Sequence, residues 1–488
     1  MAVTLYTSRI ILKNLGVIDF GIYNVVGGFV LMLGFLNNAM ASASQRFFSF
    51  ELGKKDFLKL SNIFTMSVNI HLLIALIILI ISETIGLWFV SNKLTIPTER
   101  MGAALWVYHF SVITLIANMI SVPYSALIIA HERMGVFAWV SILEVSLKLL
   151  IVILLVFFNM DKLILYAALV FLVTVLVRLV YGGYCIHSFE ESKFNMIWDH
   201  TLFKTLISYL CWNLWGNIAS VIMGQGINIL LNIFFGPVVN AARGITYQIR
   251  GAVQQFVTNF QMAMNPQIIK SYAAKDLSYV HQLILQGAKF SFYLVFLLSL
   301  PILLETKVIL RLWLDSVPDH TIIFTRLMLV NVLIDSYSGT LMTAAQATGK
   351  IKVYQSVVGG LLILNLPLTY LVFKLGMAPE AAFGVGIGIS VLALILRLYI
   401  IGNLVELKKR VFIFDVIFKS IFVSILGAII PYFLTTYVEP SIVRLMFTTI
   451  MSFVMVGGSV FVLGLDKKER FFIIQGITGI IKKLYIKF

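Results

Sequence analysis

The sequence predicts an all-α integral membrane protein of about fourteen transmembrane helices, arranged as two six-helix lobes related by a parallel repeat plus a terminal helix pair. The first indication is composition, because the 488 residues are 60% hydrophobic and only 12% charged, whereas soluble domains average about 25% charged residues. The second is that apolar runs of roughly 20 residues, long enough to cross a bilayer, recur from end to end. The third is that Lys and Arg concentrate in alternate connections, as membrane topology requires.

The helices are predicted from the apolar windows between charged breaks. They lie at 1–12, 20–43, 62–90, 102–130, 135–158, 163–184, 205–233, 239–263, 283–304, 322–347, 353–373, 381–403, 412–436 and 442–465. The first window is too short to span a membrane, so we expect the first helix to be truncated in this sequence. Nothing resembles a cleavable signal peptide, since no charged segment precedes the first apolar run.

The distribution of basic residues predicts the orientation. If the connection 44–61 faces the cytoplasm, every second connection does so too, and these together with the tail hold about 20 Lys and Arg against about eight on the opposite side. The C-terminus is therefore predicted to be cytoplasmic. The tail after Leu465 contains six Lys or Arg among apolar residues, which is typical either of an amphipathic segment on anionic lipid or of a simple topology anchor.

An internal repeat predicts the domain organisation. Leu15-Gly16 recurs in kind as Phe235-Gly236, and Lys55-Asp56 recurs as Lys275-Asp276, both 220 positions apart; Val136-Phe137 and Val353-Tyr354 lie 217 apart. Six helices separate the copies, so the axis relating them runs along the membrane normal. The predicted domains are an N-terminal lobe (1–185), a cytoplasmic linker (186–204), a C-terminal lobe (205–404), an extra helix pair (405–465) and a basic cytoplasmic tail (466–488).

Polar residues inside the predicted spans point to a cavity. A charge at the centre of a span costs about 2.5–3.5 kcal/mol on insertion scales and therefore usually faces an interior or aqueous space. The eighth helix carries Arg243, Tyr247, Arg250 and Gln254 on one face, because they recur at spacings of three and four. Guanidinium groups attract anions and suit bidentate phosphate contact. The predicted cationic cavity also includes Lys148 and Arg326.

Other polar residues in the spans leave alternatives open. The seventh helix has Asn213, Asn217 and Asn228 at helical spacing, and the fifth has Glu144 and Lys148, which can pair at i,i+4. Such residues either line a cavity or bond helices together. Four cations near the predicted cytoplasmic surface are expected to snorkel to it: Arg178, Lys289, Arg397 and Lys419.

Sequence motifs for catalysis and cofactors are not found. No Walker loop, paired His/Glu metal motif or Gly-x-Ser-x-Gly elbow occurs. The two cysteines, Cys185 and Cys211, cannot make a metal-ligand set or a disulfide framework. We therefore expect no catalytic residue, no metal and no cofactor. The net charge of +15 follows membrane topology, so no nucleic-acid partner is expected.

Three segments carry a family resemblance. Residues 5–12, residues 15–28 with the sequence Leu-Gly-Val-Ile-Asp-Phe-Gly-Ile-Tyr-Asn-Val-Val-Gly-Gly, and the stretch 44–53 that begins Ser-Gln-Arg-Phe-Phe resemble the opening and first cytoplasmic loop of bacterial polysaccharide exporters. These are the O-antigen flippases (Wzx type) of the MOP superfamily, which share the MATE-like fold. The resemblance extends over the two-lobed chain and points to the family, not to a substrate.

The resemblance implies a function. Such proteins would move undecaprenyl-pyrophosphate-linked oligosaccharide across the bacterial inner membrane by alternating access, for surface polysaccharide such as lipopolysaccharide. Arg9 and Asp19 stand in the matching opening motif and are carried over as cavity residues. Coupling to a H⁺ or Na⁺ gradient is expected at Asp335 or Glu144. The implied partners are the lipid-linked oligosaccharide, membrane lipids and a polysaccharide polymerase.

Two other classes of function are weighed against the flippase. A cation-coupled exporter of small molecules on the same fold would need acidic cavity residues, whereas the charges predicted within the spans are mainly basic. A membrane enzyme such as a polymerase or glycosyltransferase generally needs a sizeable outer loop or an acidic motif there. The longest outer loop predicted here, near 305–321, is short.

Overall fold

The computed structural model describes residues 2–31, 34–94, 96–158, 160–193, 195, 197–314, 317–467 and 469–471. Helices make up almost all of this part of the chain, and it contains no strand. The helices are α1 (Ala2–Leu31), α2 (Phe35–Lys54), α3 (Phe57–Asn92), α4 (Thr98–Ala130), α5 (Met134–Phe157), α6 (Lys162–Ser188), α7 (His200–Phe235), α8 (Pro237–Ala273), α9 (Leu277–Leu304), α10 (Thr306–Trp313), α11 (Thr321–Thr348), α12 (Ile351–Lys374), α13 (Ala381–Leu404), α14 (Lys409–Tyr437) and α15 (Ile442–Gly464).

Eleven of the described helices are long and apolar enough to cross a membrane. They are α3 to α7, α9 and α11 to α15; the three other long helices, α1, α2 and α8, are not among them. The all-helical membrane fold is thus confirmed, while the number of about fourteen spans stays a prediction. The protein is a multi-pass membrane protein.

Several predicted helix boundaries are wrong. The connection predicted at 44–61 is mostly helix, because α2 continues to Lys54. The prediction ended the helix at residue 43 and placed Arg46 in the connection, but Arg46 is 8% exposed, and its guanidinium lies 4.5 Å from the ring centre of Phe47 and 4.6 Å from that of Phe50. Its charge is therefore accommodated within the helix by aromatic faces.

Three further boundaries also differ from the prediction. Helix α1 runs through the predicted gap at 13–19, with only Gly16 outside helical geometry, and α8 continues ten residues beyond the predicted end at 263. The predicted outer loop 305–321 contains the short helix α10. The predicted tail falls mainly on 472–488, outside the described residues.

The backbone repeats its exceptional conformations at the predicted offsets. Gly16 and Gly236, 220 apart, have φ of +81° and +83°, which glycine alone adopts readily. Lys55 and Lys275, also 220 apart, both end a helix in the left-handed region with φ of 60° and 63°. Glu132 and Gly349, 217 apart, also follow a helix in the left-handed region, with φ of 59° and 72°. Because helix ends and breaks recur at fixed distances, the backbone supports the parallel repeat.

The described chain groups into two compact units. Unit 1 comprises Met1–Ile218, Pro266–Asp276 and Gly349–Gln355; unit 2 comprises Ala219–Asn265, Leu277–Thr348 and Ser356–Phe488. Their limits differ from the predicted lobes, since they divide α7 and α8 within the helices. The predicted lobe and linker boundaries remain predictions.

Unit 1 is built around α4. This helix packs against α2, α3 and α6, and large side chains such as Phe48, Phe64 and Tyr108 are fully buried between them. The Tyr108 hydroxyl donates a 2.6 Å hydrogen bond to the carbonyl of Ser82, where α3 widens into a π-helical turn at Ser82–Gly86. Close packing and satisfied polar groups stabilise such a unit, since lipid tails are as apolar as the helices.

Unit 2 holds the terminal pair, α14 and α15, against α9 through a buried ion pair near one end of α9. Arg444 of α15 is 8% exposed and Glu305, just after α9, is 1% exposed. Two guanidinium nitrogens of Arg444, Nε and Nη2, donate to the Glu305 carboxylate at 2.7 and 2.6 Å. The remaining nitrogen, Nη1, donates to the carbonyls of Thr435 and Val438. Both charges of this ion pair are therefore neutralised within the protein.

A second buried ion pair fixes the other end of the terminal pair. Lys289 was predicted to snorkel, which is wrong: it is 4% exposed, and its ammonium lies 2.7 Å from the Glu469 carboxylate. The chain after α15 supplies this counter-charge, so the lysine is neutralised where it stands. Nearby, Lys419 donates a 2.9 Å hydrogen bond to Asp466, which holds the pKa of that carboxyl below its usual range.

The predicted orientation has a direct test. Single cysteines at Lys54 and Lys408, both exposed, are expected to resist an impermeant thiol reagent added outside sealed inner-membrane vesicles of native orientation. The background should carry Cys211→Ser, because Cys211 is exposed and Cys185 is buried. A cysteine at Glu439, on the predicted outer side, is the positive control and should react. Labelling at both lysine positions would reverse the orientation.

Candidate functional site

A polar cavity of about 480 Å³ lies within unit 2. Faces of α7, α8, α11, α12 and α13 line it. Helix α8 begins directly after the break at Gly236, with Pro237 in the first turn, where its missing N–H costs nothing. The predicted stripe of Arg243, Tyr247, Arg250 and Gln254 then points one continuous polar face of α8 into the cavity.

Arg243 is held tightly by its neighbours. It is 7% exposed, and its guanidinium donates to Asn228 Oδ1 at 3.2 Å, to the carbonyl of Gly224 at 2.8 Å and to the Tyr247 hydroxyl at 2.9 Å. Its Cζ also lies 4.1 Å from the centre of the Tyr247 ring. Arg243 therefore supplies positive potential to the cavity while its own donors are largely engaged.

The guanidinium of Arg250, in contrast to that of Arg243, is not held by hydrogen bonds to described residues. It is half-buried on the cavity wall, and its Cζ lies 5.4 Å from the centre of the Tyr247 ring. Among the described residues, no hydrogen bond or ion pair reaches its guanidinium. Five N–H donors in a rigid fork are thus open to a ligand.

A third guanidinium enters the cavity from α13. Arg397 was predicted to snorkel, which is wrong: it is 7% exposed, lines the cavity and donates a 2.8 Å hydrogen bond from Nη1 to the Ser338 hydroxyl. Its Nε is buried without a hydrogen-bond partner in the described structure. A buried N–H with no acceptor costs about 1–3 kcal/mol, so this donor favours a ligand that accepts from it.

Asp335 is the only carboxylate among the residues that line the cavity in the described structure. Both Arg397 and Arg250 are near enough to interact with its charge, yet no described cation lies within 4.0 Å of it. Three guanidinium groups against one carboxylate leave the lining with a net charge of +2. The cavity can therefore bind an anion, while coupling to a H⁺ or Na⁺ gradient at Asp335 stays a prediction.

Several predicted site residues lie elsewhere, in unit 1. Asn213 is buried and donates to the carbonyl of Ala39 at 3.4 Å, and Asn217 donates to the carbonyl of Asn213 at 3.0 Å. The bond of Asn213 joins α7 to α2, whereas that of Asn217 lies within α7. Lys148 and Glu144 form the predicted i,i+4 pair at 2.6 Å, with 49% and 27% of their side chains exposed.

Three other predicted residues are also outside the unit 2 cavity. Arg326 is exposed and donates to the carbonyl of Leu303 at 3.2 Å, in the last turn of α9. Asp19 accepts two hydrogen bonds from Arg100, at 2.8 and 2.5 Å, and Arg100 also pairs with Asp161 at 2.6 Å. The side chain of Arg9 lies outside the described part of the structure.

Arg397 is the functional candidate that sequence reasoning missed. Its position near the end of an apolar run made it indistinguishable from a snorkelling cation. The repeat offered a signal, since Arg178 and Arg397 lie 219 apart and Asn118 and Asp335 lie 217 apart. In unit 1, Arg178 donates a 2.9 Å hydrogen bond to Asn118; in unit 2, Arg397 and Asp335 line the same cavity and interact through their charges.

Comparison with solved structures identifies the fold. A multidrug resistance MATE family transporter of the MOP superfamily, in an outward-facing conformation, is 13% identical and has a TM-score of 0.71 over 83% of this chain and 93% of its own. The MATE transporter ClbM in complex with Rb⁺ is 16% identical, with a TM-score of 0.69 over 84% and 94%. A variant of the Vibrio cholerae MATE transporter VcmN is 13% identical, with a TM-score of 0.60 over 83% and 92%.

No protein-family model and no curated protein matches the chain. At identities this low, the structural likeness shows the fold alone. The chain therefore has the MATE-like fold of a family of membrane transporters.

Proposed function

We propose that this protein is a flippase, which translocates undecaprenyl-pyrophosphate-linked oligosaccharide across the bacterial inner membrane by alternating access for surface polysaccharide synthesis. The observation that carries the proposal is the open guanidinium of Arg250 in a cavity with a net charge of +2. A pyrophosphate offers several charged oxygens in the geometry that a guanidinium fork binds. The transporter fold supports movement of such a ligand across the membrane.

The charge balance separates this proposal from export of small cationic molecules. The solved neighbours include a multidrug resistance transporter and a transporter bound to Rb⁺. A cation in the unit 2 cavity would meet Arg243, Arg250 and Arg397 with a single carboxylate to offset them. An anionic substrate gains from the same three charges. In this scheme Asp335 is the residue that couples transport to a H⁺ or Na⁺ gradient.

The test measures which leaflet holds the lipid-linked glycan. In spheroplasts of a strain lacking this gene, the glycan is expected to stay protected from an impermeant oxidant such as periodate. Restoring the gene should expose a large fraction of it. If the accessible fraction is the same with and without the protein, the flippase proposal fails; if only efflux of a cationic dye changes, the exporter is the better description.

A further inference from the structure

A second cavity, of about 210 Å³, lies within unit 1. Tyr23, Asn37, Phe110, Ser111 and Asn118 are among the residues that line it, and none of the residues lining it in the described structure carries a charged side chain. Its chemistry is therefore that of aromatic rings, amides and hydroxyls.

The two cavities occupy corresponding positions of the repeat. Tyr23 stands 220 positions before Arg243, and Val30 stands 220 before Arg250. On the α4 wall, Asn118 stands 217 before Asp335. All of these residues line their respective cavities. The same site in the fold is thus strongly charged in unit 2 and neutral in unit 1.

The neutral lining fits an uncharged ligand that carries hydroxyl groups. Amides and hydroxyls donate and accept together, as the hydroxyl groups of a sugar also do. The Oδ1 atom of Asn37 is buried and has no hydrogen-bond partner in the described structure, which leaves an acceptor for a ligand hydroxyl. The lining also has the rings of Tyr23 and Phe110, and Tyr23 packs edge-on against Tyr166 with 4.7 Å between the ring centres.

The size and the charge of the unit 1 cavity restrict the class of ligand further. A cavity of about 210 Å³ is smaller than those that hold drug-sized molecules, so it has room for a single sugar ring. None of the described lining residues would offset an ionised group, and the nearby Arg178 is already engaged with Asn118, so burying a charge there is costly. We infer that the unit 1 cavity binds an uncharged sugar residue of the glycan; this rests on the proposed function, in which the pyrophosphate of that glycan binds in unit 2.

Matched cysteines test this inference in cells. Ser111→Cys and Met328→Cys stand 217 apart in the repeat and line the two cavities, and Cys211→Ser removes the exposed native thiol. Labelling by a small permeable maleimide is compared between cells that make the lipid-linked glycan and cells blocked in the first sugar transfer. We expect both cysteines to react about threefold more slowly when the glycan is made. A ligand present at about twice its Kd leaves about one third of the sites free, which gives this factor.

The outcomes separate the two proposals. Protection of Met328→Cys without protection of Ser111→Cys would overturn the sugar site and leave the flippase intact. Protection at neither position would overturn the flippase itself. Thr114→Cys, also on the unit 1 lining, repeats the measurement should Ser111→Cys fold poorly.

Purified protein provides the test of ligand class. Millimolar N-acetylglucosamine is expected to slow labelling of Ser111→Cys, whereas glucuronate at the same concentration should not, because no described lining residue offers its carboxylate a counter-charge. Equal protection by both sugars would overturn the assignment to uncharged residues. No protection by N-acetylglucosamine, with Ser111→Cys also unprotected in cells, would overturn the site.

Discussion

Arg250→Ala is expected to abolish surface polysaccharide while the protein remains at normal abundance in the membrane. Arg250 makes no described hydrogen bond or ion pair within the protein, so its removal leaves no partner unsatisfied. Hydrogen bonds to charged groups contribute about 1.5–3 kcal/mol, so affinity for the pyrophosphate should fall by about ten- to a hundredfold. Immunoblots of surface polysaccharide and of the tagged protein measure the two effects.

Two further variants define the role of Arg250. Arg250→Lys should restore transport only in part, because it keeps the charge and loses the fork. Arg326→Ala is the matched control: it removes the same charge from an exposed arginine that does not line the cavity, so polysaccharide should stay near normal. A fall in protein abundance for Arg250→Ala that matches the fall in polysaccharide would show a structural role and contradict the prediction.

Arg444→Ala is expected to be the most destabilising single change in unit 2. It leaves the Glu305 carboxylate, 1% exposed, with only the Thr448 hydroxyl at 3.2 Å as a described partner. Breaking a buried ion pair by removing one member costs about 3–5 kcal/mol. The measurements are thermal unfolding of the purified protein in detergent and its abundance in the membrane, both of which should drop clearly.

The double variant Arg444→Met with Glu305→Leu distinguishes the stranded charge from lost packing. Replacing both members of a buried pair by apolar residues of similar volume is often neutral or stabilising. Its unfolding temperature should therefore return close to that of the unchanged protein. A double variant as unstable as Arg444→Ala would show that the hydrogen bonds of Arg444 to Thr435 and Val438 carry the stability instead.

One wall of the candidate site, the polar face of α8, could be predicted from the sequence. The α8 stripe was predicted because 3.6-residue periodicity places Arg243, Tyr247 and Arg250 on one face, whatever the helix packs against. The structure brings Asp335 to the same cavity. Periodicity shows which face of a helix is polar, but it does not show which helix packs against that face. Asn213 lies on an equally regular stripe, yet its side chain donates to the carbonyl of Ala39 in unit 1 and does not line the unit 2 cavity.

Residues near helix ends were harder to predict. A cation there can reach water or turn inward to a partner, and the local sequence is the same in both cases. Lys289 turns inward because Glu469, 180 residues later, reaches it. Arg46 remains within a helix because aromatic rings cover it. Both outcomes depend on contacts that are distant or specific to side-chain packing, which a hydropathy window does not record.

The two ion pairs of the terminal helices have a practical consequence. Because α15 is tied to α9 through Arg444 at one end and the following Glu469 is tied to Lys289 at the other, the terminal helices cannot swing away from α9 without breaking a buried charge pair. A fluorophore or antibody fragment attached near Tyr437, which is 81% exposed, would therefore follow α9 as a rigid handle. Because α9 packs against α11, which lines the unit 2 cavity, the displacement of this handle during a transport cycle would report movement next to the cavity with no label inside it.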